Sequence, residues 1–230
     1  MKKHIPNTVT CLNLFSGCVG IVFAFNGDLK SAGYAIFIAA IFDFLDGMLA
    51  RLLKAYSEIG KQLDSLADVI SFGLLPAIII YQLFLEAPQL ADVSPYLNYS
   101  AFLIAIFSAL RLAKFNIDER QTENFIGLPT PANAMLIASL PFIVAGDNTF
   151  LADFIHNPYF LLIFSLGMSL LLVAEIPLFS LKFKSLGIKE NLFRYILVAA
   201  SLALIIIAQF AAIPVIIFGY IILSVIQARV

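Results

Sequence analysis

The sequence predicts an all-α fold, a polytopic membrane bundle of about eight transmembrane helices that forms a single domain over residues 1–230. An apolar composition, long apolar segments and a one-sided distribution of basic residues support this prediction. Hydrophobic residues make up 61% of the chain and charged residues 13%, whereas soluble domains carry about 25% charged residues. A globule of this size cannot bury so much apolar surface. The composition therefore excludes a soluble enzyme, a nucleic-acid binder and a disordered scaffold.

Eight segments are apolar and long enough for membrane-crossing helices, which need about 20 residues. They are continuous rather than alternating with period two, which argues against a closed β-barrel. In chain order they cover residues 6–26, 31–53, 63–85, 96–115, 129–146, 158–179, 191–209 and 212–227. The last two are separated only between Gln209 and Pro214, so six or seven spans are an alternative. The 141–230 part carries generic apolar spans.

The first segment is predicted to be a retained helix rather than a cleaved signal peptide. Polar residues and a proline interrupt its apolar run, and no convincing small-residue cleavage site follows it. The interrupting residues are Pro6, Asn7, Thr10 and Asn13.

The basic residues set the predicted orientation. With eight spans, thirteen of the fourteen lysines and arginines fall on one side and Lys30 alone falls on the other. By the positive-inside rule, both termini are then cytoplasmic, in a multi-pass protein of the inner membrane.

The second and third segments carry four carboxylates at their cytoplasmic ends. Asp43 and Asp46 are three residues apart, and Asp64 and Asp68 are four apart. Each pair therefore lies on one face of its own helix. A turn at 54–62 brings the two helices back antiparallel, so the pairs are expected to face each other.

Four carboxylates that converge in a low dielectric need compensating positive charge. An all-oxygen set without histidine or cysteine suits Mg²⁺, Mn²⁺ or Ca²⁺. Gly47 and Gly60 leave room beside the acids, which predicts a two-metal site for a phosphorylated ligand. The alternative is that the acids cap helices or pair with Arg51, Lys54 and Lys61.

Eight residues match a known family signature at every fixed position and spacing: Asp43, Asp46, Gly47, Ala50, Arg51, Gly60, Asp64 and Asp68. The chain thereby resembles the CDP-alcohol phosphotransferases. The resemblance implies a helical membrane enzyme that transfers a phosphatidyl or related group from a CDP-linked donor to an alcohol and releases CMP. It implies that the four aspartates hold two divalent cations, that Asp68 is the general base, and that the protein is a homodimer. It also implies donor contacts by Asn7, Gly47, Arg51, Ser57 and Gly60.

The stretches 63–73, 111–116 and 127–133 resemble the phosphatidylserine synthase branch of that family. This resemblance covers about residues 5–140 and implies CDP-diacylglycerol as the donor and L-serine as the acceptor. Transfer to inositol, glycerol phosphate or choline remains an alternative. A cation transporter that uses the buried carboxylates is a more distant one.

Free serine brings a carboxylate and an ammonium to the site. Arg111 is the predicted partner of the carboxylate, and Asn116 or Asn133 is predicted to orient the amine. Thr130, between two prolines, is predicted to place a loop over the site. Alternatively, Arg111 is an ordinary positive-inside residue and Thr130 belongs to a plain turn.

Glu175 is an acid inside the sixth predicted segment and so a functional candidate, because charges within spans are costly. Pro177 follows it closely. We favour a structural interpretation, in which Glu175 bonds backbone groups that a broken helix leaves free.

Overall fold

The computed structural model describes residues 4–88, 96–118, 125–179, 187 and 191–228. Within these ranges the chain forms ten α-helices and two strands of two residues each, so the predicted all-α class is confirmed. The helices are α1 (His4–Phe25), α2 (Leu29–Leu52), α3 (Glu58–Asp68), α4 (Leu75–Glu86), α5 (Leu103–Ile117), α6 (Thr130–Val144), α7 (Thr149–Ile155), α8 (Pro158–Val173), α9 (Leu192–Ala208) and α10 (Ala212–Gln227).

Each predicted segment contains a helix, but the sixth was predicted to run too far. The helix α8 ends at Val173, because Ala174 adopts an extended conformation. Pro177 then begins the strand β2 (Pro177–Leu178), which pairs antiparallel with β1 (Phe125–Ile126). Glu175 therefore lies in a turn after α8, and its predicted place inside a span is wrong. The short helix α7 and the strand pair were not predicted.

Four helical stretches are long and apolar enough to cross a membrane: His4–Phe25, Glu58–Glu86, Leu97–Ile117 and Leu192–Gln227. A fifth is counted if the pair α7 and α8, bent by 67°, is one span. These counts refer to the described residues. A total of eight crossings stays a prediction.

The stretch Leu192–Gln227 folds back on itself near Gln209. This residue has φ 47°, a left-handed conformation that interrupts the helix. Phe179 contacts both halves, since its ring meets the Arg194 guanidinium of α9 and its carbonyl accepts a hydrogen bond of 2.8 Å from Tyr220 of α10. The stretch thus forms two helices, α9 and α10, joined by a tight turn, in agreement with the two separate segments predicted there.

Small residues bring α1 close to α2 and to the π-helical segment Val69–Leu74, which follows α3. A methyl group at Gly20 would lie 2.8 Å from the Cβ of Ala35, and one at Gly17 would lie 2.9 Å from the Cα of Ser71. Close backbone approach of this kind is the usual basis of helix packing in membranes. Ser16 adds a hydrogen bond of 2.9 Å to the carbonyl of Ala35.

Helix ends gather at two ends of the bundle. At one end, His156 and Glu86 approach within 3.5 Å. The opposite end gathers the start of α1, the end of α2, the start of α3 and the end of α5. Large apolar side chains between the ends face outward; Phe15 is 65% exposed and Ile207 is 81% exposed. Such a surface suits lipid rather than water.

Candidate active site

Three carboxylates from two helices meet at the end of the bundle where α1 begins. Carboxylate oxygens of Asp43, Asp64 and Asp68 all lie within 4.8 Å of one another. Asp43 projects from α2, while Asp64 and Asp68 lie one turn apart on α3 and in that helix's last residues. The acids of the two helices therefore face each other as expected, and these three could hold a metal ion.

Asp46 lies one turn beyond Asp43 and completes the predicted set of four acids. It is not a member of the close group, but its side chain is buried. One oxygen of Asp46 and one of Asp64 are buried without a hydrogen-bond partner among the described residues. Buried carboxylate oxygens are costly unless something compensates them. The donor set and the unsatisfied oxygens thus fit oxygen-ligated divalent cations.

Asp68 is held by a residue that the sequence did not single out as part of the site. The side-chain amide of Asn13 donates a hydrogen bond of 3.1 Å to the Asp68 carboxylate. The hydroxyl of Ser71 in turn donates a hydrogen bond of 3.0 Å to the backbone carbonyl of Asn13. Ser71 belongs to a π-helical segment, Val69–Leu74, that starts directly after Asp68; such segments are frequent at functional sites.

A signal for Asn13 was present in the sequence. Asn7, Thr10 and Asn13 are spaced three residues apart, so they lie on neighbouring positions of one helix face. Polar side chains on one face of an apolar helix indicate a polar neighbour. The sequence could not show that this neighbour is Asp68.

A cavity of about 450 Å³ opens beside the acids. Four of the five predicted donor contacts line it, together with Thr10, Asp46 and Asp64: these four are Asn7, Gly47, Ser57 and Gly60. Arg51 is not among the lining residues. Its Nε donates a hydrogen bond of 3.0 Å to the carbonyl of Gly47 on its own helix.

The two glycines shape this cavity in different ways. A methyl group at Gly60 would lie 3.0 Å from both Asn7 Oδ1 and Ser57 Oγ, so glycine lets these side chains approach each other. Ser57 also caps α3 by accepting a hydrogen bond of 3.0 Å from the Gly60 amide. A methyl group at Gly47 would meet no atom within 4 Å. It would instead occupy the cavity.

The four predicted serine contacts do not all lie together: three lie on α5 and α6, and the fourth, Asn116 of α5, contacts α3 instead. Arg111 is buried, donates a hydrogen bond of 3.3 Å to Thr130, and lies close enough to Asp68 for electrostatic attraction. Asn133, one turn beyond Thr130 on α6, is fully buried, and its side-chain amide has no hydrogen-bond partner in the described part of the chain. Asn116 lies elsewhere and donates a hydrogen bond of 2.8 Å to Ser65.

Comparison with known proteins shows which family this chain resembles. Residues 3–173 match the family model described as CDP-alcohol phosphatidyltransferase. A Bacillus subtilis protein named CDP-diacylglycerol--serine O-phosphatidyltransferase is 34% identical over 174 residues, which are 76% of this chain and 89% of that protein. A Helicobacter pylori protein of the same name is 32% identical over 224 residues, which are 96% of this chain and 90% of that protein. For a third protein of that name, from Mycobacterium leprae, the identity is 35% over 181 residues, which are 76% of this chain and 57% of that protein.

Proposed function

Because this chain belongs to the CDP-alcohol phosphatidyltransferase family, we propose that it transfers the phosphatidyl group of CDP-diacylglycerol to the hydroxyl of L-serine and releases CMP. The observation that carries the proposal is the group of three carboxylates beside a cavity lined by the predicted donor contacts. The names of the relatives support serine as the acceptor. The protein is thus a membrane-embedded transferase of phospholipid synthesis.

We propose that the four aspartates bind two divalent cations, Mg²⁺ or Mn²⁺; Ca²⁺ is also compatible with oxygen ligands. Asp43, Asp64 and Asp68 supply the close group and Asp46 faces the donor cavity. Bound there, the cations would neutralise the diphosphate and the charge that develops on the attacking and leaving oxygens.

The donor is proposed to lie with its CMP diphosphate in the 450 Å³ cavity. Asn7 and Ser57 offer polar groups to it, while Gly47 and Gly60 let it approach the backbone. Arg51 lies one turn beyond Gly47, and a change of its rotamer would release its Nε from the Gly47 carbonyl toward the diphosphate.

The acceptor is proposed to bind beside Asp68, on the side of α5 and α6. Arg111 binds the serine carboxylate, and Thr130 and Asn133 complete that side of the site. Asp68 takes the proton of the serine hydroxyl while the serine oxygen forms a bond to phosphorus. The bond between phosphorus and the CMP oxygen breaks in the same step. Asn116 would act by fixing Ser65 beside Asp64.

The location and assembly belong to the same proposal. The one-sided basic residues support an inner-membrane protein whose active site faces the cytoplasm, where serine and CMP are soluble. The family resemblance supports a homodimer, and residues 1–230 are proposed to form one domain.

The test is release of CMP by the purified protein in detergent, with CDP-diacylglycerol and Mn²⁺ or Mg²⁺, in the presence or absence of L-serine. We expect serine-dependent release that EDTA and Asp68→Asn both abolish. Release with inositol, glycerol phosphate or choline but not with serine would keep the chemistry and overturn the acceptor. A folded protein that releases no CMP with any alcohol would overturn the function.

A further inference from the structure

A second cavity, of about 400 Å³, has Arg111 in its lining. Its lining carries two basic side chains of α5, Arg111 and Lys114, and two acidic ones, Asp118 and Glu175. Ile126 of β1 and Leu172 of α8 add apolar walls. Charges of both signs around one small cavity suit a zwitterionic ligand better than a simple anion or cation.

The turn that carries Glu175 is fixed rather than loose. The Gly127 amide donates a hydrogen bond of 3.0 Å to the Ile176 carbonyl, and the Leu128 amide donates one of 2.9 Å to the Leu171 carbonyl. Gly127 has φ 76°, and a methyl group there would lie 2.6 Å from the Leu172 carbonyl oxygen. The backbone on both sides of Glu175 is therefore clamped against residues 126–128.

Arg111 connects this cavity to the proposed chemistry. Arg111 lines the cavity, its guanidinium attracts Asp68 electrostatically, and its buried Nε has no hydrogen-bond partner among the described residues. A molecule whose carboxylate is bound at Arg111 would therefore have one side near Asp68 and another side inside the cavity. Glu175 is the acid whose position the strand pair fixes within that cavity.

We propose that this cavity is the binding site for an α-amino acid acceptor and that Glu175 binds its ammonium group. The inference rests on the proposed function and adds a residue to it. Recognition then has three points: the carboxylate at Arg111, the ammonium at Glu175, and the hydroxyl toward Asp68. Such a site favours serine over alcohols that lack either charge, because a missing carboxylate leaves the buried Arg111 without its partner and a missing ammonium removes the ion pair with the exposed Glu175.

The test compares two acceptors in the CMP-release assay: L-serine and 3-hydroxypropionate, which lacks the ammonium. Because Glu175 is exposed, we expect Glu175→Gln to raise the KM for serine about fivefold. The KM for CDP-diacylglycerol and the slow turnover of 3-hydroxypropionate should stay within about twofold of wild type. The unchanged 3-hydroxypropionate rate also shows that the variant is folded.

Two further variants sharpen the test. Glu175→Asp keeps the charge and should recover part of the serine affinity, while Glu86→Gln, an acid at the opposite end of the bundle, should change nothing. A serine KM unchanged in Glu175→Gln, or raised instead by Asp118→Asn, overturns the inference and leaves the proposed function intact. Wild-type protein without serine-dependent CMP release overturns the proposed function, and the inference with it.

Discussion

Asn13 and Asp68 are joined by a hydrogen bond of 3.1 Å between two side chains that lie 55 residues apart in the sequence. Asn13 is fully buried and Asp68 is 6% exposed, so water does not compete for this contact. The amide donates, which leaves the carboxylate as acceptor and orients the oxygen that the proposed mechanism uses as a base. Asn13 is thus a positioning residue for Asp68.

Replacing Asn13 with alanine is expected to lower kcat for CMP release. A hydrogen bond to a charged group contributes about 1.5–3 kcal/mol, so the loss should be roughly tenfold to a hundredfold. The KM for CDP-diacylglycerol should change little, because the donor cavity is lined by Asn7 and Thr10 rather than by Asn13.

Cys18→Ala is the matched control, since Cys18 lies on the same helix but is exposed at its outer surface. Steady-state kinetics at saturating serine separate kcat from both KM values. A fall in donor affinity without a fall in kcat would contradict the positioning role.

Asp43→Asn is expected to stabilise the metal-free protein while abolishing its response to Mn²⁺. Without a cation, the three carboxylates within 4.8 Å repel one another, and the amide removes one of the charges. In EDTA the Tm of the variant should therefore exceed that of wild type. Added Mn²⁺ should raise the Tm of wild type, because a ligand that binds the folded state stabilises it, and should leave the variant unchanged.

Thermal unfolding in detergent measures both effects, and activity is not needed for the readout. Asp153→Asn changes an exposed acid of α7 and serves as the control. An equal Mn²⁺ response in wild type and Asp43→Asn would rule out a metal at this group.

The sequence predicts those features of the site that depend on spacing within one helix, and not those that depend on packing between helices. The acid pairs share helix faces because their spacings of three and four residues are local properties of an α-helix. The link from Asn13 to Asp68 depends on how two helices pack, which spacing within one helix does not determine. The end of α8 was predicted too late because the apolar run continues past Val173, and pairing with β1 decides where that helix stops.

Gly47→Ala and Gly60→Ala are expected to weaken donor binding for different reasons. At Gly47 a methyl group meets no protein atom but enters the cavity, so the KM for CDP-diacylglycerol should rise about tenfold without a fall in Tm. Alanine even favours the helix over glycine by about 0.5–1 kcal/mol. At Gly60 the methyl displaces Asn7 and Ser57, so both donor affinity and Tm should fall. Gly219→Ala, which also meets no neighbouring atom, is the control for both.

Gly127→Ala is expected to damage the acceptor side while sparing the donor side. The left-handed φ of 76° disfavours alanine, and the added methyl would lie 2.6 Å from a backbone carbonyl that cannot turn away. Strain of this kind costs about 1–3 kcal/mol, and the Tm in detergent should fall accordingly. The clamped turn would shift with Glu175 on it, so the KM for serine should rise more than the KM for CDP-diacylglycerol. Gly167→Ala, on α8 with no atom within reach of its methyl, should leave both KM values unchanged. Equal increases in the two KM values of Gly127→Ala would mean that the β1–β2 pair supports the whole bundle end rather than the acceptor cavity.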